Sequence, residues 1–216
     1  MEIQRGDYLV FAGLGSSVGL DELPIARCEV EPGVFQRHWL PFDSRSSISR
    51  DGYIGVLHYI VANNDTVMLD RIIKAGWRRF WTMGEGAADY VNIYPLVPLL
   101  LALRYGNWVP TLPTISVGKM LTGFRAHLLA ITILLEIRMG RKSFWHKWSM
   151  KRLTKANPDN PMFLALYNYL NGYSQKNVQR LCKESSTWNE GCFGWGSCPP
   201  EVFYAVTQFI CNMERK

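Results

Sequence analysis

"SRDGYIGVLHYIVANNDTVMLDRIIKAGWRRFW", residues Ser49 to Trp81, decides the fold class. Its first half carries apolar Ile54, Leu57, Tyr59 and Val61 and stops at the Asn63-Asn64 pair. Its second half carries Leu69, Ile72, Ile73, Gly76, Trp77 and Phe80. That i, i+3, i+4, i+7 recurrence is the stripe of an amphipathic helix, and the short polar break makes the two halves an αα-hairpin. Ser49 is placed to cap the first helix, with Asp51 in the first turn where a carboxylate favours the helix dipole.

Outward from this hairpin the pattern repeats without a matched repeat of sequence. "YPLVPLLLALRYG" places prolines at a helix start and Gly106 after its basic end, as a helix C-terminus requires. The spacing predicts a long helix from Lys119 to Met139, ended by Gly140. In "NPDNPMFLAL", Asn160 and Pro161 read as a cap and first helical position. Ser174 opens a short partner through Leu181, and Pro199-Pro200 launch a last helix. Helices are expected in pairs: about 50–62 with 65–82, 94–105 with 119–139, and 161–171 with 174–183. Strand signals are confined to "YLVFA" and "RCEVE", and residues 6–49 are looser, with room for short helices. The expected class is all-α, successive αα-hairpins in a single domain over residues 1–216, with 1–49 as a loop-rich segment.

A chain of 216 residues with 48% hydrophobic and 13% aromatic content can bury a core and is not of disordered composition. Its net charge of +6 mildly favours anionic partners. "YVNIYPLVPLLLAL" is short and holds Pro95 and Pro98, and "FRAHLLAITILLEIR" is interrupted by Arg125 and His127. Neither reaches the 18–20 uninterrupted apolar residues of a membrane span. "MEIQRGDYLVFAG" has no basic segment ahead of a long apolar one, so no signal peptide is expected, and the location is read as cytoplasmic or virion-associated. The five cysteines (Cys28, Cys182, Cys192, Cys198 and Cys211) then read as reduced thiols. The spacing of Cys182, Cys192 and Cys198 is wider than structural zinc prefers, and no metal is expected.

Three stretches invite a ligand. "YLVFAGLGSSVG" contains Gly13, Gly15 and Gly19 after an apolar run, a pattern that can cradle a phosphate. No βαβ unit follows, so a glycine-rich turn or helix end is the reading, with no cofactor. "GVFQRHWLPFDSRSSISRD" gathers Arg37, His38, Trp39, Asp43, Arg45, Arg50 and Asp51 ahead of a helix that also holds Tyr53 and His58. Arginine forks suit carboxylates, carboxylates suit hydroxyls, and tryptophan suits a sugar face. Gly52 and Gly55 each cost roughly 1 kcal/mol against alanine inside a helix, so they mark close packing or a backbone that something approaches. The third is "RMGRKSFWHKWSMKRLTK", Arg138 to Lys155, with seven Lys and Arg and no acidic residue. There Arg141, Lys142, Lys147, Lys151 and Arg152 interleave with Phe144, Trp145 and Trp148. Cations can hold phosphates while the rings stack on bases or sugars; the alternative is a solvated basic face with its aromatics turned inward.

"GDYLVFAGLG", "PGVFQRHW", "SRDGYIGVL" and "NPDNPMFLAL" together resemble a group of uncharacterised bacterial and phage proteins similar to (α/α)-toroid, six-hairpin-glycosidase-like chains. The resemblance implies an incomplete ring of helical hairpins whose loops form a cleft for an oligo- or polysaccharide, with Arg37, Arg50 and Asp51 at it. Turnover as a hydrolase would need two opposed carboxylates, from Asp43, Asp51, Glu85 and Asp89. As a lyase it would need a base such as His38, His58 or a tyrosine, with Arg45 or Arg50 neutralising a uronate. Three readings therefore stand side by side: a glycan-binding or virion scaffold, slightly favoured; a polysaccharide hydrolase or lyase; and a nucleic-acid binder acting through residues 138–155.

Overall fold

The computed structural model describes residues 8–20, 25–37, 48–84, 91–106, 123–184 and 200–213. These are mostly helical, as the periodicity predicts. The chain divides into two compact units, Met1–Thr114 and Ile115–Lys216.

In the N-terminal unit, α1 (Tyr8–Ser16) packs on α2 (Arg50–Asn63), followed by α3 (Thr66–Arg78) and α4 (Val97–Tyr105). Two small antiparallel hairpins accompany them, β1 (Glu29–Glu31) with β2 (Val34–Phe35), and β3 (Thr82–Met83) with β4 (Val91–Asn92). "YLVFA" is a helix rather than the expected strand. Leu9, Val10, Phe11, Ala12 and Leu14 are all buried, so the segment is apolar all round and its periodicity cannot tell strand from helix.

The α1–α2 crossing explains the glycines. A Cβ on Gly55 would lie 2.5 Å from Val10 Cα and 2.6 Å from the Leu9 carbonyl oxygen, and one on Gly13 would run into the Gly55 carbonyl. The two backbones touch where neither helix has a side chain. Ser49 caps α2, its Oγ accepting from the Gly52 N–H at 3.0 Å, and Asp51 stands in the first turn. Asn64 ends α2 in the left-handed region, and Asp65 at once caps α3 by accepting from the Met68 N–H at 2.9 Å.

The β1–β2 hairpin is bolted to α3 by Glu29, which takes Arg71 in a two-point fork (2.7 and 2.8 Å) and also accepts from the Gly33 N–H. Arg79 pairs with Glu31 beside it. α3 stops at Arg78, short of the expected residue 82, because Trp81 folds back onto the notch at Gly76. Phe80 and Trp81 both take positive φ (50° and 60°) to do so. That turn buries Trp81 and leaves Trp77 and Phe80 exposed.

In the C-terminal unit, α7 (Pro161–Asn171) is central. It packs against α5 (Gly123–Arg138), α6 (Phe144–Ala156), α8 (Lys176–Glu184) and α9 (Pro200–Asn212). Asn160 caps it through the Phe163 N–H (3.1 Å), with Pro161 at its first position, and its Nδ2 lies 3.1 Å from His127 Nε2. His127 in turn sits between the rings of Phe163 and Phe203. No described helix is long and apolar enough to cross a membrane.

Candidate functional site

The residues first suspected of lining a glycan cleft separate into three groups. Arg50 is exposed and Asp51 half-buried at the N-terminus of α2, while Arg37 is half-buried after β2, its carbonyl accepting from the Leu9 N–H at 2.9 Å. Tyr53 and His58 are corrections to the expectation of a binding surface, since both are walled into the core. The Tyr53 hydroxyl accepts from the Phe35 N–H and donates to the Gly33 carbonyl, both at 3.2 Å, so it ties α2 to the β1–β2 hairpin. Burial pushes its phenol well above the usual range. His38, Trp39, Asp43, Arg45, Glu85 and Asp89 lie outside the described residues.

The phosphate-cradle pattern has a packing role. Gly13 is the contact with α2, α1 runs through Gly15, and Gly19 (φ +84°) follows the helix end. Cys28, Cys182 and Cys211 are free thiols, each pushed up by burial, Cys28 to about 12 and Cys211 to about 11.

The basic-aromatic stretch presents the described residues most suited to a ligand. It forms α6, which the sequence pattern did not announce. Ser143 starts it with a reciprocal cap: Ser143 Oγ accepts from the His146 N–H, and the Ser143 N–H donates to His146 Nδ1 at 3.3 Å. The other ring nitrogen, Nε2, stands 3.0 Å from Glu136 Oε2 on α5. His146, Ser149, Met150 and Leu153 form the buried face. With that face fixed inward, the aromatics are on the outside: Phe144 is 71% exposed and Trp145 53%.

These rings form a connected series. Phe144 meets Trp145 at 5.9 Å between centroids, and Trp145 meets Trp148 at 5.8 Å and 89°. The Arg152 guanidinium lies 5.0 Å over Trp148. Lys147, Lys151 and Lys155 are exposed on the same helix. No Asp or Glu occurs between Glu136 and Asp159, so no carboxylate of this stretch neutralises the helix. The inward-facing alternative for these aromatics fails for Phe144 and Trp145, because the short apolar side of α6 is already taken by Met150 and Leu153.

Beside the N-terminal end of this surface, a cavity of about 620 Å³ opens between the start of α6 and the end of α7. Lys142, Ser143, Phe144, Lys147, Tyr169 and Asn171 are among its lining residues, none of which is acidic. The Lys142 ammonium rests 4.6 Å from the centre of the Tyr169 ring. Rings and cations on α6 can together engage a polymer that carries both planar groups and negative charge. No protein-family model matches this chain, and neither does any curated protein sequence or solved structure.

Proposed function

We propose that this protein is a binding module for single-stranded nucleic acid, acting through the exposed face of α6 rather than through turnover. The observation that carries the reading is the connected series Phe144–Trp145–Trp148–Arg152, with Phe144 and Trp145 in solvent and Trp148 half-buried, among lysines on a stretch without a carboxylate. Adjacent exposed rings on one helix make a contiguous apolar patch, and bases stack on indole regardless of sequence. Lys147, Lys151 and Arg152 supply charge for the backbone phosphates, and Lys142 adds a fourth cation at the helix start. The net charge of +6 acts in the same direction at longer range.

The glycan reading, with helical hairpins set in an incomplete (α/α) ring around the "SRDGYIG" stretch, is the alternative outcome of one test. Fluorescence anisotropy of a labelled oligothymidylate is followed across salt concentration, with uronate-rich and neutral polysaccharides as competitors. Four engaged phosphates give a log–log salt slope near −3, about −0.7 each. Trp145→Ala is expected to weaken binding roughly 5- to 150-fold, the equivalent of about 1–3 kcal/mol for one stacked base. Absence of oligonucleotide binding at low salt refutes the proposal. Binding of a polysaccharide that survives Trp145→Ala and Lys147→Gln moves the function to the glycan reading.

A further inference from the structure

We infer that the turn closing α3 is a peripheral membrane anchor, seating Phe80 and Trp77 in the headgroup region of an anionic bilayer. The turn belongs to the N-terminal unit and does not depend on the reading of α6. Phe80 is the side chain for which the fold has least use. It takes φ of 50°, where glycine or asparagine is at ease and a bulky residue is strained. Its ring is 88% exposed and so adds almost no burial in compensation. This exposure is not looseness. The Trp81 N–H donates to the Gly76 carbonyl at 2.7 Å and the Thr82 N–H to the Arg79 carbonyl at 3.0 Å, so backbone bonds hold the turn on both sides of Phe80. Trp81 is docked on Gly76 and Arg79 is tied to Glu31, which leaves the phenyl ring projecting from a fixed base.

Two amphipathic rings accompany it. Trp77 is 64% exposed, with its indole set edge-on to Trp81 at 5.3 Å between centroids. The Ile93 N–H donates to the Trp81 carbonyl at 2.9 Å, which places the next residue, the exposed Tyr94, near the turn. A projecting phenylalanine with tryptophan and tyrosine near it is the residue set of a membrane–water interface. There indole and phenol sit at the headgroup level, and an apolar ring reaches the acyl boundary.

The charge around the rings selects the lipid. Glu29 is engaged by Arg71, Glu31 by Arg79 and Asp70 by Arg104, while Asp65 caps α3. Lys74 and Arg78, both exposed and four residues apart on one side of α3, pair with no carboxylate among the described residues. Two uncompensated cations beside projecting rings fit a partner that is both anionic and apolar. A second copy of the same patch would set like charges against each other. A protein partner would need a pocket shaped to the Phe80 ring, whereas a bilayer interface yields to it. Each cation held near an anionic leaflet strengthens binding roughly fivefold.

The test is co-sedimentation of the full chain with large unilamellar vesicles of phosphatidylcholine, with and without phosphatidylserine. Binding is expected to the phosphatidylserine vesicles and to fall as salt rises. Phe80→Asn should weaken it roughly tenfold, the scale of transferring one phenyl ring out of water. The same substitution should leave the urea midpoint unchanged or raise it, because asparagine accepts the left-handed turn. Phe80→Gly, equally free of that strain, should behave alike, so a loss of binding is not a loss of fold. Lys74→Gln and Arg78→Gln should each weaken vesicle binding roughly fivefold. No binding to phosphatidylserine vesicles at low salt overturns the anchor. Binding that survives Phe80→Asn and is removed by Trp145→Ala assigns the vesicles to α6 and overturns it too. Weaker oligothymidylate binding by Phe80→Asn would make the turn part of a strand surface instead of a lipid one. Sedimentation equilibrium without lipid covers the remaining occupant: a dimer that Phe80→Asn dissolves gives the turn to a second copy and overturns the membrane assignment.

Discussion

Replacing Gly55 by alanine separates two meanings of the glycines in "SRDGYIG". If Gly55 is there because α1 crosses on it, the added methyl has nowhere to go. It would stand 2.5 Å from Val10 Cα, 2.6 Å from the Leu9 carbonyl oxygen and 2.8 Å from that of Val10. All three obstacles are backbone, so relief requires α1 to lift by about 1 Å toward ordinary contact near 3.5–4 Å. Overpacking of this kind costs about 1–3 kcal/mol or more. Alanine in place of glycine inside a helix returns about 1 kcal/mol. The upper half of the overpacking range governs here because rigid backbone is the obstacle, so the expected net loss is about 1–2 kcal/mol. Gly52→Ala is the internal control. Its methyl would meet Leu9 Cδ2 at 2.9 Å and the capping Ser49 Oγ at 3.2 Å, both of them side-chain atoms rather than backbone. That substitution should be within about 0.5 kcal/mol of the parent or slightly stabilising. Gly13→Ala should cost as much as Gly55→Ala, and the double variant less than the two losses added, because one displacement of α1 relieves both clashes. Urea unfolding followed by far-UV circular dichroism gives the four values. If Gly55→Ala is as stable as Gly52→Ala, the crossing is not what requires the glycine and the reasoning fails.

Two further outcomes follow from the buried titratable groups. Tyr53→Phe leaves the Phe35 N–H without its partner and should cost about 1–3 kcal/mol. Burial raises the folded pKa of Tyr53 above its unfolded value of about 10, so the stability this phenol contributes is fully present below about pH 10 and is lost as pH rises through the folded pKa. The stability gap between parent and variant should therefore narrow in alkali, as urea midpoints across pH would read; a constant gap refutes the assignment. For the thiols, site-resolved alkylation near neutral pH should modify Cys211, half-buried with its pKa pushed up to about 11, before the fully buried Cys28, pushed up to about 12. Both should react orders of magnitude more slowly than after unfolding, and a native Cys28 that reacts as fast as in urea contradicts its burial.

What the sequence made legible is the set of helices whose apolar stripe and caps agree. Ser49, Asp51, Asn64, Asn160 and Pro161 do in the structure what their residue types predict, and α2 and α7 begin where those signals stand. α3 was legible at its start and not at its end. Trp77 and Phe80 continue its apolar spacing, yet the helix stops at Arg78, since docking Trp81 against Gly76 outweighs another turn. No local propensity encodes that choice, because it depends on a ring meeting a notch five residues earlier in the chain.

The stretch that forms α6 was hidden for the opposite reason. Periodicity finds a helix by its buried stripe, and here the buried stripe is His146, Ser149, Met150 and Leu153, half of it polar. The large apolar residues are on the solvent side, so the pattern that announces a core helix runs against the face that is actually covered. An inverted helix of this kind costs stability: Phe144 and Trp145 forgo the burial that would offset the entropy of ordering them. Its fold rests instead on the Ser143–His146 reciprocal cap, the His146–Glu136 contact and two core side chains. A segment that turns apolar surface outward, carries no carboxylate of its own and still forms a capped helix is the one we propose to meet a ligand. The glycines of "SRDGYIG" show the converse. There a sequence feature that pointed to an approaching ligand is satisfied by α1, and the exposed rings and cations are carried by a helix whose hydrophobic pattern failed to announce it.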